Sequence, residues 1–588
     1  VKQADPYQGR KVAVTVLMML GFIVVLYRLF NLQVLQAAEL TAKADRQHRK
    51  SITIEGARGG IQDRHGKVLA MNVDVPSVFG VPTSLDDPSA VARDLAQVLP
   101  VRAVEIEKKL KQDRSFVWIA RKLDPERGRQ IEALSLGGIG TVMEGRRFYP
   151  KGPLLAHVLG FAGVDGQGLE GIERRYEKIL HGEKRLVVME RDALGRTVFP
   201  KGLTEQGPAP GHTIALTIDE VVQYIAEKEL EEAVAATRAK GGIVIVMEPR
   251  TGAILALAVS PRFDPNSVAD LAADRWRNRA LTDAYEPGST MKVFVGAAAL
   301  EEKVMDPASL LFAENGAFHL ANTVIHDHEK MGWITFSQML QKSSNIAAAK
   351  TGIALGQERL YRYLKAFGFG ERTEIDLAGE MSGLLKDPRH WGKRSLASIS
   401  MGQEVGVTPL QLVTAMASVA NGGWLMKPYI VASIRDSSGK IVAEQGPQVR
   451  RRPISGETAQ ILTGILEGVV TKGTGTRAAV AGYRVAGKTG TAQKIDSRTG
   501  AYSSTLFVGS FVGFVPADDP KLAIVAVIDE PHTEAWGGVV AAPVFRRVAE
   551  QALPYLGVPG IEPVKVALTL QGDNDAGRSG GLPAGQEP

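Results

Sequence analysis

The 588-residue chain carries 70 lysines and arginines against 64 aspartates and glutamates, a net charge of +6, with 44% hydrophobic and 23% charged residues. That balance describes a folded globular protein with room for two or three domains. Cysteine is absent, which excludes disulfides and thiolate metal sites, and no basic run is interleaved with aromatics in the way nucleic-acid binding requires.

Val12 to Tyr27 contains no charged residue, and extension to Leu35 adds only Arg28. As a helix, residues 12–35 measure about 36 Å, enough to cross a hydrocarbon core of roughly 30 Å with Arg28 reaching the interface. The rival reading is a cleaved signal peptide, whose apolar stretch would be shorter and end in a small-residue cleavage site; Gln33-Val34-Leu35-Gln36 is a poor one. Lys2, Arg10 and Lys11 favour a cytoplasmic N-terminus over residues 1–11, weakened by Lys43, Arg46, Arg49 and Lys50 beyond the segment, and place the bulk of the chain outside the cytoplasm. Residues 36–205 mix short strands and helices. Glu205 to Gly211 is the best candidate linker, and a second domain over 206–557 opens with the strand Thr213 to Ile218. Asp219 is positioned to cap a helix from Glu220 to Ala235, and Gly242 to Met247 with Ala253 to Val259 reads as a hairpin turned by Pro249-Arg250-Thr251-Gly252. Helices then dominate to about residue 420, and strands return around Lys488. Strands, a helical block, then strands is α+β order. The tail, 558–588, is expected to be flexible, since Gln571 to Pro588 is rich in glycine and lacks aromatics.

Three short motifs carry the chemistry. After the breaker Pro287-Gly288 comes Ser289-Thr290-Met291-Lys292, opening an apolar run to Glu302 that reads as a buried helix. Lys292 then falls on the same face as Ser289, within one turn of it, and burial lowers the pKa of such an amine so that it can serve as a base. Ser343-Ser344-Asn345 lies between a helix at Phe336 to Gln341 and a helical run from Ile346. Lys488-Thr489-Gly490-Thr491 sits in a strand punctuated by glycines, ahead of strands at Thr505 to Val515 and Lys521 to Ile528. Glycine within a strand suggests close approach of another backbone, here an extended peptide along a sheet edge. Each motif alone has a bland reading: a helix cap with a surface lysine, turn chemistry, an edge strand with an exposed lysine. A chain this long shows about two Ser-x-x-Lys matches by chance. The second copy, Ser437 to Lys440, reads as a hairpin turn, and the second Lys-Thr-Gly, Lys350 to Gly352, as the continuation of a helix. In this order the three preferred copies form a kit for acyl transfer through a serine ester.

Taken with further stretches, the chain resembles the class B penicillin-binding proteins over nearly its whole length, and is most similar to their cell-division (FtsI-type) group. Those stretches are Arg58 to Arg64, Arg147-Phe148-Tyr149-Pro150, Gly168 to Glu173, Arg191-Asp192 with Gly195-Arg196, Glu286-Pro287-Gly288 before the nucleophile, and Gly402-Gln403-Glu404 with Thr408 to Gln411. The resemblance implies a transmembrane helix (12–35), a pedestal of the dimerisation type (36–205) and a transpeptidase domain (206–557) with a β-lactamase-like antiparallel sheet and a helical block. It implies D,D-transpeptidation of peptidoglycan stem peptides without metal or cofactor: Ser289 as nucleophile, Lys292 as its base, Ser343 as proton relay, Asn345 holding substrate and Lys292. Lys488 and Thr489 would meet the substrate carboxylate along the edge that includes Gly490 and Thr491, with the amides of Ser289 and Thr491 as oxyanion donors. β-Lactams would acylate Ser289. No glycosyltransferase domain precedes the pedestal, so a SEDS-family glycosyltransferase and other division proteins of the inner membrane are the implied partners. Elongation rather than division, a catalytically silent β-lactam receptor or scaffold, and a β-lactamase or carboxypeptidase remain as alternatives.

Overall fold

The computed structural model describes residues 8–114, 116–191, 197–198, 208–267, 273–496 and 498–560. The first seven residues, the start of the linker (205–207), the stretch 192–196 and the tail beyond 560 lie outside them. Helix α1 (Gln8–Phe30) continues in a wider turn to Leu35, a 28-residue run whose most apolar 18-residue window has a mean hydropathy of 2.3 and no buried residue. It fits a single-pass membrane anchor.

The pedestal is organised on one long strand. β1 (Ile61–Gln62) and β2 (Val68–Gly80) pair antiparallel; β2 also pairs with β3 (Val117–Ala120) and, from Met71↔Phe148 to Gly80↔Ile139, with β4 (Ile139–Phe148). Its distal end buries Val78 and Ile119 against Leu95, Ile106 and Leu110 of two amphipathic helices. The short helix α2 (Gly171–Arg175) brings Glu173 to the other end, where separated sequence blocks meet. Glu173 is fully buried and accepts from Arg58 Nε and Arg147 Nε, each at 2.6 Å, and from the Tyr149 hydroxyl at 3.3 Å. Arg58 also pairs with Glu177 at 2.7 Å, and Arg147 donates to the Gly59 carbonyl at 2.7 Å. Each buried charge thus meets an opposite one, the condition under which charge is tolerated in a core.

β5 (Thr213–Leu216) leads into α3 (Glu220–Thr237), which Asp219 caps through the amides of Val221 and Val222. β6 (Gly241–Met247) and β7 (Ile254–Ser260) form the expected hairpin. The helical block includes α4 (Lys292–Glu301), α5 (Phe336–Lys342), α6 (Asn345–Leu355) and α7 (Pro409–Ala420). β8 (Val431–Arg435), β9 (Ile441–Glu444) and α8 (Gly456–Lys472) follow, then β10 (Ala486–Ile495), β11 (Tyr502–Val515), β12 (Leu522–Asp529) and α9 (Ala542–Tyr555). The central sheet has the order β7-β6-β12-β11-β10, leaving β10 at an edge. Strand periodicity sorts its two faces: Ile243, Ile245 and Met247 pack into the core shared with the helical block, while Val244 and Val246 pack with α3 and α9. The architecture is α+β, as the order of elements suggests.

A second sheet, β9-β8-β5-β1-β2-β3, crosses between the two domains, because β5 pairs antiparallel with β8 and parallel with β1. The linker therefore does not separate two independent bodies. Both decoy motifs are structural. Ser438 sits in the β8–β9 turn, with its amide on Asp436 at 2.9 Å, and Lys350 lies in α6, held by Glu314 and the Phe312 carbonyl.

Candidate active site

The nucleophile segment is a tight 3-10 turn, Gly288–Met291, and the α-helix proper starts at Lys292 rather than at Ser289. Gly288 adopts φ 54°, and a Cβ there would press on the Thr491 carbonyl at 2.6 Å, so only glycine lets the turn lie against β10. Ser289 stands half-exposed at a cleft of about 740 Å³ also lined by Asn345, Thr491, His328, Tyr502 and Trp536. Among the described residues its hydroxyl makes no hydrogen bond.

Lys292 is completely buried. Its amine donates to the Ser343 carbonyl at 2.6 Å, to Asn345 Oδ1 at 2.7 Å and to Ser343 Oγ at 3.3 Å. Burial lowers its pKa to about 7 against the weaker opposing pull of Asp327. Near neutral pH the amine is therefore close to half deprotonated, as a base requires. The expected contact between Lys292 and Ser289 is not formed; in acyl-transfer sites such contacts commonly tighten only around substrate.

Ser343 closes α5 in the left-handed region, φ 60°, a costly position for a residue with a side chain. Asp327 holds the loop in place. It accepts from the Ser344 hydroxyl at 2.6 Å, the Ile346 amide at 3.1 Å and the Asn345 amide, while Asn345 Nδ2 donates to the His326 carbonyl at 2.9 Å. The sequence reading missed Asp327. The dense string His326-Asp327-His328-Glu329 is its one cue, and that string does not say where the group lies.

Across the cleft, Lys488 is also fully buried, with its amine on the Thr489 carbonyl and hydroxyl, both at 3.2 Å; Thr489 and Thr474 share a hydroxyl bond at 2.7 Å. Burial and, to a lesser degree, the charge of Lys292 push its pKa well down. The edge position of β10 agrees with the sequence reading, but its glycines serve another purpose. A Cβ on Gly487 would strike Phe511, and one on Gly490 would strike Ser510, Pro287 and Thr290, so these two glycines are required by the fold's own packing on the sheet faces. Thr491 receives the Gly537 amide on its hydroxyl at 3.1 Å, and the neighbouring Trp536 meets His328 edge to face at 4.6 Å across the cleft. Ser289, Asn345 and Thr491 line one cleft, with Lys292 and Lys488 beneath it. The arrangement offers two hydroxyls and two buried amines around one cleft, groups that serine acyl transfer can use.

The family described as the penicillin binding protein transpeptidase domain matches residues 242–550, and the penicillin-binding protein dimerisation domain matches 53–216. The chain is 37% identical over 545 residues to stage V sporulation protein D of Bacillus subtilis, covering 91% of this chain and 84% of that protein. It is 31% identical over 582 residues to the peptidoglycan D,D-transpeptidase FtsI of Escherichia coli, covering 96% and 95%. Its fold is similar to that of penicillin-binding protein 3 from Mycobacterium tuberculosis, crystallised with aztreonam, at a TM-score of 0.69 and 26% identity, covering 87% of this chain and 98% of that one.

Proposed function

Because this chain belongs to the class B penicillin-binding proteins, a family of peptidoglycan D,D-transpeptidases, we propose that it cross-links stem peptides at the division septum through an acyl-enzyme on Ser289. The observation that carries the reading is the state of Lys292: buried, its pKa near 7, and bonded to both Ser343 and Asn345. In the proposed course the Ser289 oxygen attacks the carbonyl of the penultimate D-alanine while the Lys292 amine takes the hydroxyl proton. The amides of Ser289 and Thr491 stabilise the oxyanion, a contribution of about 3 kcal/mol per donor. Ser343 relays the proton to the nitrogen of the departing D-alanine, and the amine of a neighbouring stem then displaces Ser289. Lys488 and Thr489 receive the donor's terminal carboxylate, with Gly490 and Thr491 completing the edge.

The apolar run of α1 supports anchoring in the inner membrane, with residues 1–11 cytoplasmic and the catalytic domain periplasmic. Division into a pedestal over 36–205 and a transpeptidase domain over 206–557 belongs to the same proposal, as does a SEDS-family glycosyltransferase of the division machinery as partner. Labelling of the detergent-solubilised full chain by a fluorescent penicillin tests the nucleophile: Ser289→Ala abolishes it, and persistent labelling overturns the assignment. Product analysis with lipid-linked substrate and a polymerase separates an enzyme, which makes cross-links, from a receptor or scaffold that is acylated and makes none. Rapid nitrocefin turnover would instead indicate a β-lactamase. Depletion in the host separates septation, seen as filaments, from elongation, seen as round cells.

A further inference from the structure

Glu286 and the segment Gly402-Gln403-Glu404 stand out in the sequence yet take no part in the chemistry above, and the structure joins them. Glu286 Oε1 accepts from the Glu404 amide at 2.9 Å and from the Tyr502 hydroxyl at 2.9 Å, across 118 and 216 residues of chain. Glu404 presents its amide from φ 59°, a left-handed conformation that a residue with a side chain holds only when its surroundings over-determine it. Ser395 secures the Glu404 carboxylate at 2.6 Å. Around this contact two segments run side by side: Tyr285 and Val407 exchange amide–carbonyl bonds at 3.0 and 2.9 Å, and the Gly288 amide donates to the Gly402 carbonyl at 3.1 Å. Gly402 lies so close that a Cβ would overlap the Gly288 carbonyl. Tyr502 comes from the other wall, at the start of β11 and opposite Ile495 of β10. One carboxylate oxygen thus ties the nucleophile segment, the 402–407 segment and the strand pair bearing Lys488 to Thr491.

We propose that Glu286 is a positioning residue for acylation, fixing the Ser289 segment relative to the β10–β11 edge so that hydroxyl and edge amides keep one spacing across the cleft. The inference rests on Ser289 being the nucleophile. Glu286 does not touch the reacting atoms; it acts through the segment that carries them. Such control is worth having, since a misplacement of about 1 Å at the reacting centre costs roughly 100-fold in rate. A carboxylate suits the task because one of its oxygens can accept from the Glu404 amide and the Tyr502 hydroxyl at once.

Acylation of the full chain in detergent by a fluorescent penicillin, followed by stopped flow, separates the dissociation constant of the initial complex from the rate of the covalent step. In E286A the covalent step slows roughly tenfold or more, with the initial dissociation constant held within about twofold. Y502F, which removes one hydroxyl from an exposed tip, slows it roughly threefold at unchanged melting temperature. E286Q, whose amide oxygen can accept the same two hydrogen bonds, recovers most of the lost rate. Wild-type rates in both E286A and Y502F overturn the proposal, as does an E286Q protein as slow as E286A; should E286A fail to fold, Y502F decides alone. Ser289→Ala keeps the two readings apart. Labelling that survives in Ser289→Ala removes the nucleophile itself, whereas labelling lost there but normal in E286A and Y502F removes only the positioning role.

Discussion

The molecule buries cations in two places and treats them in opposite ways. In the pedestal, Arg58 and Arg147 share the carboxylate of Glu173 at 2.6 Å each, and the arrangement holds Arg58 above its ordinary pKa despite the burial that opposes it. In the transpeptidase cleft, Lys292 and Lys488 are equally buried, yet among the described residues neither meets a carboxylate at ion-pair distance, and both pKa values fall. Paired burial yields a fixed charge that locks geometry; unpaired burial disfavours the charged amine, and in Lys292 brings its pKa to about 7. Arginine suits the first role because it stays charged, lysine the second because it does not.

The largest effect that sharpens this contrast is on rate. Lys292→Met removes the proposed base and slows penicillin labelling by roughly 10² to 10⁴-fold, while its melting temperature moves less than that of a pedestal variant. Comparable labelling in Lys292→Met would break the contrast. Next comes Glu173→Ala, which leaves two arginines buried beside each other and costs about 3–5 kcal/mol of stability, read as a shift of the denaturation midpoint. Labelling per folded molecule stays at the wild-type level, and a loss of rate without a loss of stability would contradict the structural role. Asp327→Ala lies between the two, since it frees the Ser344 hydroxyl and the amides at 345 and 346. It should cost about 1–3 kcal/mol and slow labelling roughly tenfold together, a paired change that neither other variant shows.

The pH dependence follows from Lys292. Its folded pKa is about 7 against 10.5 in the unfolded chain, so between those values the unfolded chain holds more protons. Stability contributed by this group therefore rises with pH from about 7 to about 10. The labelling rate rises through about 7 as the amine deprotonates and then levels. A labelling rate that falls over the same range would assign the base elsewhere. The smallest effect serves as control: Lys111→Ala, which breaks an exposed pair with Glu107, leaves both melting temperature and labelling unchanged within error.

Much of the fold was legible because its signals are local. The capping aspartate at 219, the β6–β7 hairpin turned at Pro249 to Gly252, and the apolar strands of the central sheet each declare themselves within about ten residues of sequence. The three motifs were legible for a similar reason, since each is a short string in a suitable local structure. The start of α4 was not, because its displacement to Lys292 depends on Gly288 being pressed against Thr491. The purpose of the glycines in β10 was likewise hidden, since Phe511, Ser510 and Pro287 come from other parts of the chain.

By itself, the sequence determined the α+β order, the apolar run near the N-terminus and the identity of the groups available for acyl transfer, because residue type and short-range spacing set all of these. Tertiary structure alone decided that β5 joins two domains in one sheet, that Asp327 grips Ser344 from 17 residues away, and that Glu286 meets Tyr502 across 216. It also decided how the buried cations differ. A pKa reflects the water removed and the charges that converge around a group, and both follow from how distant segments pack.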